Sequence, residues 1–487
     1  MVKNHPAGLK VLFLTEMWER MSYYGMRGLL VLFMTASISD GGLNFNNLSA
    51  SAIYGIYASA VYLVALPGGW IGDRILGQQR AILLGGIIIT LGHFTLVIPD
   101  LNAFFMGLLF VVLGTGLLKP NISAIVGGLY EKNDSLRDSG FTLFYMAINI
   151  GSILGFFICG YLGEKIGWHY GFGAAGIGMF FGLLQFIKNK NKLGKVGFEP
   201  SVEIDKKVKN KNIFLISFFI AIILIISMTG LLGIWRINPV PLAKILSLLI
   251  TLITLLYFSY ILIFGKLSTE EFRKIVLIIF LFFGAALFWS GFDQAGSSFN
   301  IFAYQYTDRN IFGWQYPASW LQILNPVFVV ILAPFMATLW IFLGKKMMDP
   351  NLPFKFGVGL IFMAVGFLII ATASKLALDQ NLVGAQWLLL TYLFHTLGEL
   401  LISPIGLAAI SRLSPKRYIG QMMGVWFLAS SLGAIIAGIL SGEATSLGLQ
   451  SMPILFNKIF ITSSICGLIL IIISRPLTNW ALSKDNE

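Results

Sequence analysis

The sequence predicts an all-α polytopic membrane protein, and three observations carry that prediction. Of 487 residues, 57% are apolar or aromatic and only 11% charged, with a mean hydropathy of +0.82. A soluble chain of this length needs more charge to solvate its surface. Apolar runs of about 18 residues or more recur along the whole length, as spanning helices require. The basic residues also sort to one side of those runs, which accounts for the net charge of +12 without a nucleic-acid partner. Closed barrels would show short alternating segments instead.

Taken in order, about fourteen candidate spans lie near residues 12–36, 50–72, 80–99, 101–130, 140–163, 169–188, 211–235, 240–265, 275–298, 317–344, 355–376, 384–412, 419–442 and 455–475. Runs such as "LLGGIIITLGHFTLVI" fit helices closed by charged stops. With the N-terminus inside, roughly 25 of the Lys and Arg residues fall on the cytoplasmic side. Among them are Lys3, Lys10, Arg74, Arg80, Lys132, Arg137, Arg273, Lys274, Lys345, Lys346, Arg412, Lys416 and Arg417. About six fall on the far side, including Lys165, Arg236, Arg309 and Lys375. Both termini are therefore expected to be cytoplasmic, in the cell (inner) membrane. Glu16, Glu19 and Arg20 interrupt the first apolar run, so no cleavable signal peptide is expected. Cys159 and Cys466 sit in separate apolar spans and read as small buried hydrophobes.

One long break, "KNKNKLGKVGFEPSVEIDKKVKNKN", is basic and poor in apolar residues and reads as a solvated linker. It divides the chain into an N-terminal six-helix bundle (1–190), a basic linker (191–210), an extra helix pair (211–265), a C-terminal six-helix bundle (266–476) and a tail (477–487). The extra pair carries almost no charge beyond Arg236 and Lys244 and reads as a peripheral hairpin. Two bundles that rock against each other suit a secondary transporter.

The first span carries "EMWERMSYYGMR". At 100° per residue, Glu16, Glu19, Arg20, Tyr23, Tyr24 and Arg27 project within a sector of roughly 140°. A charge at mid-bilayer costs on the order of 3 kcal/mol, so that face must line a protein interior or a wet cavity. Lys119 in "GTGLLKPNIS", Asp293 in "LFWSGFDQAGSS" and Glu399 in "FHTLGELLISP" are further intramembrane charges. Counting Glu16, Glu19, Asp293 and Glu399 against Arg20, Arg27 and Lys119 leaves a surplus of one acid. An uncompensated carboxylate in an apolar setting takes up a proton rather than stay ionised.

Bases on the N-terminal half and acids on the C-terminal half form a dipolar clamp suited to a zwitterion. Asn149 and Asn325 can pair with a peptide bond. Tyr23, Tyr24, Tyr62, Tyr145, Trp289 and Trp426 add broad apolar walls. No metal or nucleophile cluster suggests an enzyme, and no cofactor is expected beyond protons as the coupling ion.

The loop "GGWIGDRILGQQR" resembles the G-x-x-x-D-R-x-x-G-x-x-R motif of the major facilitator superfamily, with Gln78 and Gln79 where another base is usual. "EMWERMSYYG" looks like the E-x-x-E-R-F-x-Y-Y motif of the proton-dependent oligopeptide transporter family, with Met21 for phenylalanine. "FTLFYMAINIGS" is similar to that family's F-Y-x-x-I-N-x-G-S signature, and "GLLKPNIS", "FWSGFDQAGSS", "LNPVFVVILAP" and "GELLISPIGL" also match.

The resemblance implies a major-facilitator fold and proton-coupled symport of di- and tripeptides by a monomer in the lipid bilayer. It also implies that Arg27 and Lys119 hold the peptide carboxylate and Glu399 its amino terminus. Asn149 and Asn325 would contact the peptide backbone, with Tyr23, Tyr24, Tyr62, Tyr145, Trp289, Trp426 and Ser430 around it. Glu16, Glu19 and Arg20 would couple to protons, with Asp293 and Glu399 as further titrating sites. The coupling histidine that animal members carry on the second span has no counterpart here. His395 lies one turn before Glu399, whereas His5, His93 and His169 read as incidental. A facilitator-type transporter for another zwitterionic or anionic solute, or a membrane solute receptor, remains an alternative.

Overall fold

The structure is a computed structural model and describes residues 5–131, 136–202, 205–231, 233 and 238–483. Lys3, Lys132 and Arg236 lie outside these residues. The fold is almost wholly helical. Among the described residues, 11 helices are long and apolar enough to cross a membrane.

The chain divides into two compact units. The first comprises residues 1–29, 37–43 and 60–238. It takes in most of α1 (Ala7–Thr35), the second half of α2 (Asn47–Ile71), α3 (Gln78–Thr95), α4 (Leu101–Gly128), α5 (Arg137–Tyr161), α6 (Trp168–Asn189) and α7 (Lys206–Leu231). Its core gathers Leu12, Ile82, Ile89, Leu118, Ile122, Phe144, Met179 and Phe186. Here α3 and α4 pack through glycine. A Cβ on Gly85 would stand 2.7 Å from the Gly114 carbonyl oxygen, too close for any larger residue. Small residues supply this backbone contact in a bilayer, where apolar burial alone does not favour one helix over lipid.

The expected loop after the second span is mostly helix. A π turn at Gly72–Leu76 extends α2 until Gly77, at φ +81°, redirects the chain into α3. A second π turn, Leu162–Ile166, joins α5 to α6 in the same manner. Both hold an acid–base neighbour pair, Asp73–Arg74 and Glu164–Lys165, in a G-[DE]-[RK]-I context.

The segment after α6 is docked rather than merely solvated. Gln79 Nε2 donates to the carbonyl oxygens of Gly194 (3.2 Å) and Val196 (2.8 Å). The Gln79 amide donates to Gly197 O at 2.9 Å and the Val202 amide to Asp73 O at 3.1 Å. Gln78 Nε2 meets Asp73 Oδ1 at 2.9 Å, and the Arg80 guanidinium covers the Phe198 ring at 5.2 Å. Of the two glutamines that depart from the superfamily motif, Gln79 thus fastens the linker to the start of α3, and Gln78 bonds back to Asp73 within the turn.

The second unit comprises residues 30–36, 44–59 and 239–487. It contains the end of α1, the first half of α2, α8 (Pro239–Phe264), α9 (Thr269–Phe292), the short α10 (Ser298–Gln305), α11 (Leu324–Lys345), α12 (Leu352–Gln380), α13 (Gln386–Leu413), α14 (Ile419–Thr445) and α15 (Met452–Leu482). Ser268 starts α9 with a capping box closed by Glu271. This satisfies amides that the helix cannot bond itself. Within this unit the first half of α2 lies against α14. Ser59 Oγ and Ser431 Oγ are 2.7 Å apart, and a Cβ on Gly55 would reach 2.9 Å from the Gly438 Cα.

The buried face of α8 (Ala243, Ile250, Thr254, Phe258, Ile261) packs on α14 and α9. Tyr257 donates to Gln421 Oε1 at 2.7 Å. Two small β-ladders cap one end of the unit. They pair β1 (Thr307–Asp308) with β4 (Val383–Gly384) and β2 (Asn310–Ile311) with β3 (Trp314–Gln315).

Candidate functional site

The candidate residues form two groups, one in each unit. In the first unit, α1 presents Glu16, Glu19 and Arg20, which are 2%, 0% and 3% exposed. Helical spacing sets Glu16 one turn below Arg20, and the Arg20 Nε lies 3.1 Å from Glu16 Oε1 while also bonding Glu19 Oε2. The guanidinium covers the Tyr23 ring, with Cζ 5.1 Å from its centroid. One cation therefore serves two carboxylates. Glu16 Oε2, Glu19 Oε1 and Arg20 Nη2 are all buried with no hydrogen-bond partner among the described residues. Buried polar atoms ordinarily have partners, so the triad departs from the usual pattern of a protein interior.

Further along α1, the Arg27 guanidinium faces the Tyr24 ring at 5.9 Å, and Tyr23 and Tyr24 meet edge-on at 5.2 Å. On α4, Lys119 Nζ lies 4.7 Å from the Tyr62 ring centroid. Such ring contacts hold a desolvated cation in place. Asn149 is buried, and its Nδ2 donates to Tyr145 O at 3.0 Å within α5, while Tyr145 itself is exposed.

The spacing Gly151–Gly155 explains why α5 lies beside this face. A Cβ on Gly151 would stand 2.3 Å from the Met17 carbonyl oxygen and 2.8 Å from the Arg20 Cβ. One on Gly155 would stand 2.4 Å from Met21 O. The glycine of the "NIGS" signature is thus what admits the acid-bearing turn of α1.

In the second unit, α9 ends at Asp293, which is 2% exposed and opens a 3-10 turn, Asp293–Gly296. On α13, Glu399 accepts a hydrogen bond from Asn325 Nδ2 at 2.8 Å. The same amide nitrogen lies 3.0 Å from Thr396 Oγ1, whose hydroxyl donates to Tyr392 O at 2.7 Å. Thr396 is fully buried and was not singled out from the sequence, because threonine in an apolar helix usually bonds its own preceding turn. Its place three residues before Glu399 was the available signal.

Trp289 stacks edge-on with Phe288 and Phe292, and its Nε1 is buried without a partner among the described residues. The Nε2 of the buried Gln322 is likewise unsatisfied. Trp426 is buried against Phe356, and a Cβ on Gly406 would stand 2.2 Å from its ring. Ser430 is buried one turn further along α14. His395 is packed between Phe299 and Phe367, with centroids at 5.4 and 5.1 Å, which is an apolar setting rather than a polar relay. Among the described residues no cluster of three or more His, Cys, Asp or Glu could hold a metal ion.

A sequence profile described as the POT family matches residues 79–454. A peptide transporter of Yersinia enterocolitica (YePEPT) is 41% identical over 484 residues, spanning 97% of this chain and 95% of the relative. A di-/tripeptide transporter of Lactococcus lactis is 37% identical, spanning 97% and 96%. A crystal structure of a peptide transporter POT, a point mutant in complex with alafosfalin, superposes with a TM-score of 0.91 at 35% identity, covering 99% and 97%. A POT family transporter in complex with 5-aminolevulinic acid is 32% identical over 98% of each chain, with a TM-score of 0.90. This chain belongs to the POT family, the proton-dependent oligopeptide transporters.

Proposed function

We propose that the protein is a proton-coupled symporter that imports di- and tripeptides by alternating access. The observation that carries this reading is the buried Glu16–Glu19–Arg20 triad, in which two carboxylates share one guanidinium and oxygens are left unsatisfied. Full-length similarity to peptide transporters supports the cargo. In this reading α1, α3 and α7 join the apolar helices to give about fourteen spans, with both termini in the cytoplasm of the cell that bears the protein in its inner membrane. The functional bundles are residues 1–190 and 266–476, and the monomer suffices for transport.

Arg27 and Lys119 receive the peptide carboxylate, and Glu399, oriented by Asn325, receives the amino terminus. Asn149 and Asn325 address the peptide backbone. Tyr23, Tyr24, Tyr62, Tyr145, Trp289, Trp426 and Ser430 form the surrounding walls. Glu16, Glu19 and Arg20 take and release the driving proton, and Asp293 and Glu399 change charge with ligand. A proton favours transport only by binding the two conformations unequally. The triad meets that condition if its spare carboxylate is protonated in one state and ionised in the other.

Purified protein in liposomes tests the proposal. Acidifying the outside at constant interior pH is expected to drive dialanine accumulation, with dialanine-dependent proton entry alongside. Uptake that ignores the imposed gradient would refute proton coupling, and competition by single amino acids rather than dipeptides would refute the cargo. A second reading is favoured by the 5-aminolevulinic acid complex of a relative. Other short zwitterions of similar charge separation would then share the site, and the same competition assay separates them.

A further inference from the structure

We infer that the β2–β3 hairpin is a membrane-surface anchor whose tip seats Ile311, Phe312 and Trp314 in the lipid headgroup layer. Asn310 pairs with Gln315 and Ile311 with Trp314, leaving Phe312 and Gly313 as a two-residue turn. Both turn residues are left-handed, at φ +50° and +81°, which makes this a type I′ turn. Asparagine, aspartate or glycine normally occupies the first of those positions, because a Cβ is disfavoured in left-handed backbone. A phenylalanine held there is a departure from local preference, and such departures point to a role for the side chain. No core contact explains it. Phe312 is 107% exposed, and a Cβ on Gly313 would meet nothing within 4 Å.

The base of the hairpin, by contrast, is locked. Arg309 is buried. Its Nη1 donates to Tyr316 O at 2.8 Å, its Nη2 donates to Tyr304 O at 3.2 Å, and it covers the Tyr304 ring at 5.1 Å. The Tyr316 amide donates to Arg309 O at 3.0 Å, and Trp314 packs edge-on against Trp320 at 5.6 Å. A fixed base with a bare apolar tip is a presenting device rather than a slack loop.

Its position supplies the occupant. The hairpin runs, after Tyr316 and Pro317, straight into the helical segment Ala318–Lys345, where only 6% of the apolar window is buried, the lowest share among the candidate spans. The tip is therefore continuous with a candidate membrane span and stands beside a membrane face. Aromatic side chains concentrate at that depth because a ring accepts both the apolar and the wet side of the interface.

Site-directed fluorescence in the full-length protein tests this. Phe312→Cys in a Cys466→Ser background, with Cys159 fully buried and unreactive, would carry an environment-sensitive nitrobenzoxadiazole label in phosphatidylethanolamine–phosphatidylglycerol vesicles. We expect blue-shifted emission and a loss of fluorescence to lipids spin-labelled near the headgroup, exceeding the loss to aqueous iodide. Quenching by iodide alone would overturn the anchor. So would a signal altered by dialanine but indifferent to spin-labelled lipid, which would make the tip a lid. A signal that tracks protein density would overturn it in favour of a second copy. If the label at 312 prevents folding, Ile311→Cys gives the same readout.

Discussion

Glu19 and Thr396 show how single atoms set the chemistry. Glu19 is fully buried on a guanidinium it shares with Glu16. Glu19→Gln keeps the shape but removes the titrating oxygen, so gradient-driven uptake should be abolished while peptide counterflow, which needs no net proton movement, persists. Loss of both in a folded variant would place Glu19 in structure rather than coupling. Thr396 holds the amide that orients Glu399. Thr396→Val removes a hydrogen bond worth about 1 kcal/mol, so half-saturation for dipeptide should rise about fivefold. Unchanged affinity would remove Thr396 from the site. The acids were legible because charge in an apolar run has few explanations. Thr396 was not, because its importance lies in a partner on another helix, 71 residues away in sequence.

At the scale of elements, two short stretches depend on neighbours that the sequence does not display. Gly151 was recognisable as part of a signature, yet its physical reason is the Met17 backbone lying against it. Gly151→Val would force that contact apart. Overpacking of this kind typically costs about 1–3 kcal/mol, which should appear as a lower melting temperature and reduced yield of folded protein. The linker misled more fully, since its lysines read as solvated while its backbone carbonyls are held by Gln79. Gln79→Ala should leave Gly194 and Val196 unheld and speed tryptic cleavage at Lys192 and Lys195. Unaltered cleavage kinetics would show that the clasp does not restrain the segment. Strands of two residues are too short for any alternation to register, so the β2–β3 hairpin escaped the sequence altogether.

For the molecule as a whole, composition and the recurrent long apolar runs were sufficient to read a polytopic helical protein, because a bilayer admits few backbone solutions. Helix ends were less legible. The π turns that lengthen α2 and α5 occupy sequence that looks like loop, rich in glycine and charge. Net charge moved per cycle is also a property of the whole chain. A neutral dipeptide carried with one proton moves one positive charge, and 100 mV of inside-negative potential then contributes about 2.3 kcal/mol, or about fiftyfold accumulation. A valinomycin-imposed potassium potential should therefore accelerate uptake even at equal pH. Indifference to that potential would mean that no net charge crosses.

The bond from the Val202 amide to Asp73 O also limits how far α7 can stray. Four residue steps separate Val202 from Lys206, the first residue of α7, and an extended chain of that length reaches about 14 Å. The foot of α7 is consequently on a short leash to the end of α2, and any excursion of that end drags the added helix with it. Splicing a dozen glycine and serine residues in after Val202 would pay out the leash without touching a single membrane-embedded side chain.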